Sequence, residues 1–449
     1  MEKLGSATRE ELIEIVLRQQ VDMALLLEEV ESLQARVREL EEEVRRLRRG
    51  GGSQGELSIK PSRPPQEKKE RKPRGQAFVR RREVPDEVRY HAAERCPDCG
   101  RKLEGGCEHR HRQSIEVVLQ LRVVDHVILA RWCGVCHKRV LPRLEASELG
   151  VQGKRRFGAS VQGLVAALHI AYRVPVRMIR RLLRELVGLQ ISEGEVVALL
   201  DGMKRAGRAS LQQLLEAVRG SPAVCADETG WRQDGENGYL WGFFTPTLRW
   251  FEYRESRAGQ VPVEVLGEEF GGTVTCDFYS GYNKLGVLQR CWVHLLRDAQ
   301  ELAEINADRP AVAAWVQALA ALYQQAKSFS HPSERVRQKQ RRHFERLAAQ
   351  LAGPYVNDVE APQRTLAQRI MKHRHELFVF VSDPQVAGDN NLAERSLRPA
   401  VIARKISGGT RSPKGSDTKM GLMSLLGTWQ AQGKPLLDSL TQLLCPTPP

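Results

Sequence analysis

Long apolar runs are missing from this 449-residue chain: nowhere do about 18 apolar residues follow one another, which excludes a helix crossing a bilayer. Acid is in short supply relative to base. Lys and Arg number 69 against 55 Asp and Glu, a formal net charge of +14 with a pI near 9.5. That surplus favours a polyanionic partner, nucleic acid before an anionic membrane. Aromatic residues make up only 6%, and the opening MEKLGSATREEL is charged and lacks the apolar stretch of a signal peptide. Cysteine is sparse as well, nine in all, and four of the nine fall in two Cys-x-x-Cys pairs. Such spacing speaks for a metal in a reducing compartment more than for disulfides. The expectation is a cytoplasmic protein of several modules, because 449 residues exceed what one core organises.

The first module is a helix over residues 8–49. Thr8 and Glu11 have the spacing of a capping box, and Gly50–Gly52 stop the pattern. Val16, Met23, Val30, Val37 and Val44 occupy one heptad position; Leu12, Leu26, Leu33, Leu40 and Leu47 occupy the other, broken only by Gln19. β-Branched residues at a with Leu at d favour a parallel two-stranded coiled coil, hence a homo-oligomer. Residues 50–90 follow as a flexible linker rich in Gly, Pro and charge. From Glu56 to Arg82 it carries ten Lys or Arg against three acids, ending in the triplet Arg80, Arg81 and Arg82. It has too little apolar surface to fold alone, and its one-sided charge suits nonspecific contact with phosphates.

Residues 91–145 read as a zinc ribbon. Cys96-Pro-Asp-Cys99 and Cys133-Gly-Val-Cys136 are 33 residues apart, and the stretch SIEVVLQLRVVDHVILARW between them has the look of a β-hairpin. Each knuckle offers two thiolates to one tetrahedral Zn²⁺, and four protein ligands leave no open position, so the ion is structural. Cys107, His109, His111 and His137 lie nearby as secondary candidates, among basic residues such as Arg112, Arg122 and Arg131. Residues 155–219 are helical by periodicity. Within them Pro175 opens a helix bearing Arg177, Arg180, Arg181 and Arg184, Gly188 ends it, and Ser192 with Glu195 caps the next. Helix, short turn and capped helix match a helix-turn-helix, and equally an ordinary antiparallel helix pair.

After Gly220 the period changes. Pro222–Thr229, Gly238–Thr245 and Arg249–Arg254 read as three hairpin strands, with Asn237-Gly238 as a turn. A helix at Val261–Phe270 and a fourth strand at Gly272–Asp277 follow. Three acids stand out by their surroundings: Asp227 in VCADETGW, Asp277 in TVTCDFYSGY, and Glu394 in the Arg-rich, helix-like DNNLAERSLRP. Asp277 lies 50 residues after Asp227, and Glu394 lies 117 after Asp277; a mostly helical insertion at about 295–376 occupies the second gap. Two strand-end aspartates and a helical glutamate form an oxygen-ligand set fit for a pair of hard divalent cations. The layout is that of a ribonuclease-H-like α/β core over residues 220–430, with a C-terminal tail at 431–449. Glu228, next to Asp227 on a strand, points the opposite way and is not expected to be a ligand.

The segments DETGWRQDGENGYLWGF, CDFYSGYN, CWVHLLRD and DNNLAERSLRPAVIARKISGGTRSPKG resemble the transposases of the insertion-sequence-66 family, and the likeness extends from the coiled coil to the C-terminal tail. The resemblance implies a DDE-type transposase with Asp227, Asp277 and Glu394 as its triad and Mg²⁺ (or Mn²⁺) as its ion. Its partners would be the terminal inverted repeats of a mobile element and the target DNA, with small accessory proteins encoded by the element as further candidates. Such an enzyme would sit in the cytoplasm at the nucleoid. Arg395, Arg398, Arg404, Lys405 and Arg411, crowded after the glutamate, are the expected phosphate contacts near the chemistry, with Arg80–Arg82 a second set. His294, beside Trp292, either orients substrate or is purely structural. Two alternatives remain: a metal-dependent nuclease without strand transfer, and a zinc-ribbon DNA-binding regulator with an inert core.

Overall fold

The computed structural model describes residues 84–105, 107, 112–142 and 156–444. The coiled coil expected at 8–49, most of the linker with Arg80, Arg81 and Arg82, and His109 and His111 lie outside the described residues. The chain divides into two units, 1–115 and 116–449. No helix among the described residues is long and apolar enough to cross a membrane.

In the first unit, Cys96 and Cys99 form a tight knuckle. The Gly100 amide donates to the Cys96 carbonyl at 2.9 Å, the Cys96 amide donates to Arg101 at 2.9 Å, and Gly100 turns the chain at φ 69°. In the second unit, β1 (Arg131–Cys133) and β2 (Lys138–Val140) make an antiparallel hairpin around Cys133 and Cys136, and His137 takes the corresponding left-handed turn at φ 48°. The longer hairpin expected from Ser114 to Ala130 is not formed: these residues carry no strand, and Val117, Val123 and Val127 are more than 70% exposed. Apolar alternation makes a strand only where a partner backbone accepts its hydrogen bonds.

Among the described residues, four helices precede the main sheet: α1 (Ala159–Ala166, running on as a π-turn to Ala171), α2 (Val176–Val187), α3 (Glu193–Ala206) and α4 (Arg208–Arg219). Gly188 ends α2 in the left-handed conformation at φ 70°, where a side chain would be strained. Ser192 and Glu195 close a reciprocal capping box on α3: Glu195 N donates to Ser192 Oγ at 3.1 Å, and Ser192 N donates to Glu195 at 2.8 Å.

The central sheet has five strands in the order β5-β4-β3-β6-β7. They are β3 (Ala223–Gln233), β4 (Glu236–Phe244), β5 (Arg249–Arg254), β6 (Thr273–Cys276) and β7 (Val287–Arg290), with α5 (Gln260–Leu266) between β5 and β6. β3, β4 and β5 are antiparallel neighbours, whereas β3–β6 and β6–β7 are parallel. This mixed α/β core agrees with the sequence reading, with three corrections. The hairpin turn is Asp234-Gly235, both at positive φ (54° and 88°), as a two-residue turn matching strand twist requires. Asn237 and Gly238 lie inside β4; Gly238 is small because a Cβ there would stand 2.4 Å from the Tyr253 hydroxyl across the strand pair. β3 also runs on to Gln233, so Asp227 is not at its end, and β7 was hidden because four residues give too short a pattern.

The helices fall on both faces. Cys225, Trp231, Leu240, Phe244 and Phe251 face α11 (Asn391–Ser407) and α12 (Pro413–Ala431); Val224, Ala226, Trp241, Phe243 and Val274 face α4 and α5. α12 runs along the free edge of β5, where Thr428 and Ser424, one turn apart, accept from the amides of Arg249 and Phe251, each at 2.9 Å. The hydroxyls close an edge that would otherwise template further strands. The insertion between β7 and α11 is helical, as expected: α6 (Trp292–Ile305), α7 (Pro310–Ser328), α8 (Glu334–Ala352), α9 (Arg364–His373) and the short α10 (Val379–Ser382) enclose a core around Trp292, Trp315 and Phe378.

The expected tail at 431–449 is corrected by α13 (Leu436–Leu444), which packs on α1 with Leu440 and Leu444 buried. Its leucines sit at helical spacing, and burial against α1 supplies the stability that so short a helix lacks alone. Replacing fully buried Leu440 by Ala should cost about 2–5 kcal/mol in urea unfolding. A loss below about 0.5 kcal/mol would mean this segment is a dispensable tail.

Candidate active site

The parallel register pairs Ala223, Val224 and Cys225 with Thr273, Val274 and Thr275. Asp227 and Asp277 each follow the last pair by two residues. Alternation therefore brings both to the same face and the same level, on strands about 4.8 Å apart. Across the antiparallel pairs Asp227 lies opposite Gly242, and Gly242 opposite Phe251, so this is the face that α11 covers. A Cβ on Gly242 would stand 2.2 Å from the Phe244 ring and 3.2 Å from Leu397 of α11. The glycine thus lets α11 come down against the sheet next to Asp227. Glu394 sits in the first turn of α11, over the aspartates.

Electrostatics registers the convergence. Burial, then the charges of Glu228, Asp277 and Glu394, push the Asp227 carboxyl up to about 8. Asp227 therefore lies within electrostatic reach of both Asp277 and Glu394. Asp227 accepts a hydrogen bond from the Glu228 amide at 3.0 Å, and Asp277 accepts from the Tyr279 amide at 2.9 Å, an Asx turn that fixes its loop. Glu394 Oε1 lies 3.7 Å from His294 Nε2 and 3.9 Å from Arg297 on α6, yet it is buried and accepts no hydrogen bond. His294 Nδ1 and Asn390 Oδ1 are likewise buried without a partner. Among the described residues, no three His, Cys, Asp or Glu side chains are gathered closely enough to hold a metal ion as they stand.

Glu228 behaves as its position on the strand implies. It faces away, receives Arg257 at 2.6 Å and the Tyr282 hydroxyl at 2.5 Å, and burial raises its carboxyl above the usual range despite those partners.

The basic residues after the glutamate divide. Arg395, Arg398, Lys405 and Arg411 are exposed. Arg404 is not available in the same way: its guanidinium donates to the Gly230 carbonyl and, at 3.3 Å, to Thr229 Oγ1, clamping α11 to β3. Helical periodicity put it near the strand, and an unpaired carbonyl claimed it.

Three further residues matter to the geometry: Asn390 and Arg297 stood out in the sequence only as neighbours of Glu394 and His294, with no role assigned, and Arg290 went unread. Arg290, fully buried, donates to the carbonyls of Asp277 (2.8 Å) and Tyr279 (3.2 Å) and to Glu376 (2.7 Å), holding the loop that carries Asp277. Arg297 faces Glu394. Asn390 ties the start of α11 to β3, donating from Nδ2 to the Ala226 carbonyl at 2.8 Å. A buried arginine and an asparagine in a polar turn leave little pattern in sequence; only the run Asn390-Asn391 before the glutamate marked the place.

The four ribbon cysteines form two similar knuckles. In each, backbone amides hold the first thiol below its ordinary range, those of Cys99 and Asp98 for Cys96, and those of Cys136 and Val135 for Cys133. That is the donor arrangement of a thiolate ligand.

Among protein families, the model described as "Transposase IS66 family" matches residues 154–418, which include all three acids. No curated protein matches the chain.

A pH dependence follows from Asp227. With its folded carboxyl near 8 and the unfolded one near the ordinary 3.8, the folded state binds the extra proton between those values, so the metal-free protein loses stability as pH rises from about 4 to 8. Asp227→Asn should therefore raise the melting temperature more at pH 8 than at pH 5. An equal shift at both pH values would show that the carboxyl titrates normally.

Proposed function

The chain belongs to the IS66 transposase family, and from that membership we propose that it is a DDE-type enzyme: Asp227, Asp277 and Glu394 bind Mg²⁺ or Mn²⁺ and direct DNA cleavage and strand transfer at the ends of a mobile element. The observation that carries this reading is the placement of Asp227 within reach of both Asp277 and Glu394, expressed in its carboxyl raised to about 8. The strand order β5-β4-β3-β6-β7, with three antiparallel strands followed by two parallel ones, supports a ribonuclease-H-like core in which acids gather at neighbouring strands. A buried Glu394 oxygen without a hydrogen bond fits a site completed by a cation.

A divalent cation supplies Lewis acidity there, lowering the pKa of a water or a 3′-hydroxyl and offsetting charge on the leaving oxygen. The protein's own work is positional. Asp227 gives up its proton once the surrounding negative charge is balanced. Arg290 and the Asx turn keep Asp277 in place, while His294 and Arg297 hold Glu394 from α6. In cleavage, a water oxygen forms a new bond to phosphorus as the bond to the 3′ oxygen breaks. In strand transfer the freed 3′-hydroxyl attacks a target phosphodiester, and a second 3′ oxygen leaves. Exposed Arg395, Arg398, Lys405 and Arg411 beside the acids are proposed to contact DNA phosphates, which position a duplex without reading it. α2 and α3 are proposed as the module that recognises the terminal repeats, Arg80–Arg82 as an additional phosphate contact, and the two cysteine knuckles as holders of structural Zn²⁺. Dimerisation through the heptads of 8–49 would bring two ends together.

On a duplex carrying the element's terminal repeats, Asp227→Ala, Asp277→Ala and Glu394→Ala should each lower metal-dependent cleavage by about a thousandfold or more. Binding to that duplex should be kept. Undiminished cutting by any of the three would remove that acid from the triad, and a wild-type protein that binds but never cuts would leave a DNA-binding regulator. Arg398→Ala and Lys405→Ala should each weaken binding and reduce the salt slope by about 1. Arg404→Ala should lower thermal stability with little change in that slope; the reverse pattern would contradict the assignments.

A further inference from the structure

The three acids are carried by separate elements, and one residue, Asn390, joins all of them, through its side chain to β3 and through its backbone to Cys291 and α11. The β3–β6 ladder ends at Cys225 and Thr275, just before the aspartates. Beyond it, the Ala226 carbonyl is taken by Asn390 Nδ2 at 2.8 Å, and the Cys276 carbonyl by the Cys291 amide at 2.8 Å. The Asn390 amide in turn donates to Cys291 Sγ at 3.2 Å, and its carbonyl accepts from Glu394 N at 3.1 Å as the first bond of α11. Asn390 is fully buried. It thus touches the backbone beside Asp227, the residue that fastens the backbone beside Asp277, and the amide of Glu394.

Its amide orientation is determined by chemistry. The Ala226 carbonyl only accepts, so the donor Nδ2 must face it, which leaves Oδ1 as the buried atom without a partner. A buried amide oxygen left without a donor costs about 1–3 kcal/mol. An apolar residue here would leave the Ala226 carbonyl without this donor, so the amide keeps that bond at the expense of its own oxygen. The loop around Asn390 is stitched in as well: Thr275 Oγ1 donates to Ala387 O at 3.2 Å, and Trp292 N donates to Gly388 O at 3.1 Å.

We propose that Asn390 is the positioning residue of the metal site, setting the separation of Asp227, Asp277 and Glu394 and thereby the affinity for divalent cations; this rests on the triad reading above. Asn390 is not a ligand in this assignment. It acts through the backbone on either side of the acids, as residues one step removed from a metal do when they orient its ligands.

The test is Mn²⁺ binding to the full-length protein, read as free Mn²⁺ by electron paramagnetic resonance, beside the melting temperature without metal. Asn390→Ala should raise the Mn²⁺ Kd about 10–100-fold. Raising Mn²⁺ should restore much of its DNA cleavage. Asn390→Ser, which keeps the backbone bonds and a small polar group, should shift Kd in the same direction and decides the matter if the alanine variant does not fold. An unchanged Mn²⁺ Kd in the folded variants, with only a lower melting temperature, would overturn the proposal and leave Asn390 a structural joint. Glu394→Gln is the control on the parent reading: if it binds Mn²⁺ as the wild type does, the triad itself is wrong and this proposal falls with it.

Discussion

Placing several carboxylates on one half-buried face is the constraint to which the rest of the core answers. Asp227 shows the result, its carboxyl raised to about 8 by burial and by three neighbouring acids. No relaxation of the side chains alone removes that strain, because the acids come from three elements that are fixed from outside. The parallel register fixes Asp227 beside Asp277, and α11 fixes Glu394 above them. Glu228, the fourth acid, faces the other way and meets Arg257 and Tyr282, yet burial still raises its carboxyl above the usual range.

Holding such a cluster together takes rigid surroundings, and much of the surrounding architecture does that. Arg290 is buried without exposure and spends its donors on the Asp277 loop and on Glu376. Burial of a guanidinium is tolerable because carbonyls and a carboxylate satisfy it. The helical insertion contributes from the other side. Trp292 stacks on Tyr323 of α7 with centroids 5.1 Å apart, and Lys327 of the same helix lies 3.6 Å from Asp389, immediately before Asn390. The insertion is therefore packed against the loop that introduces Glu394, as well as forming a core of its own.

Much of this core could be read from the chain. The three hairpin strands, the parallel strand, the helical insertion and the capping box at Ser192 all follow from local periodicity and cap chemistry. The acids were recognisable from their neighbours. Misreadings occurred where local pattern was weak or had two meanings. Asn237-Gly238 has turn chemistry, but so does Asp234-Gly235, and only the packing of Tyr253 on Gly238 distinguishes them. Leu436–Leu444 reads in sequence only as part of a C-terminal tail, and its helix shows in the packing on α1. The run from Ser114 to Ala130 has the look of a hairpin, yet among the described residues it pairs with no strand.

The sequence by itself determined which residues are available: two aspartates on β-branched runs, a glutamate among arginines, two cysteine knuckles, and a basic surplus that looks toward nucleic acid. Tertiary structure alone decided which of these share a face. It set Asp227 level with Asp277 through the register, brought Glu394 over them by the close approach at Gly242, turned Arg404 from a phosphate contact into a clamp, and made Asn390 the joint. The physical reason is that periodicity records how each segment meets solvent, whereas register, close approach and buried hydrogen bonds are relations between segments far apart in the chain.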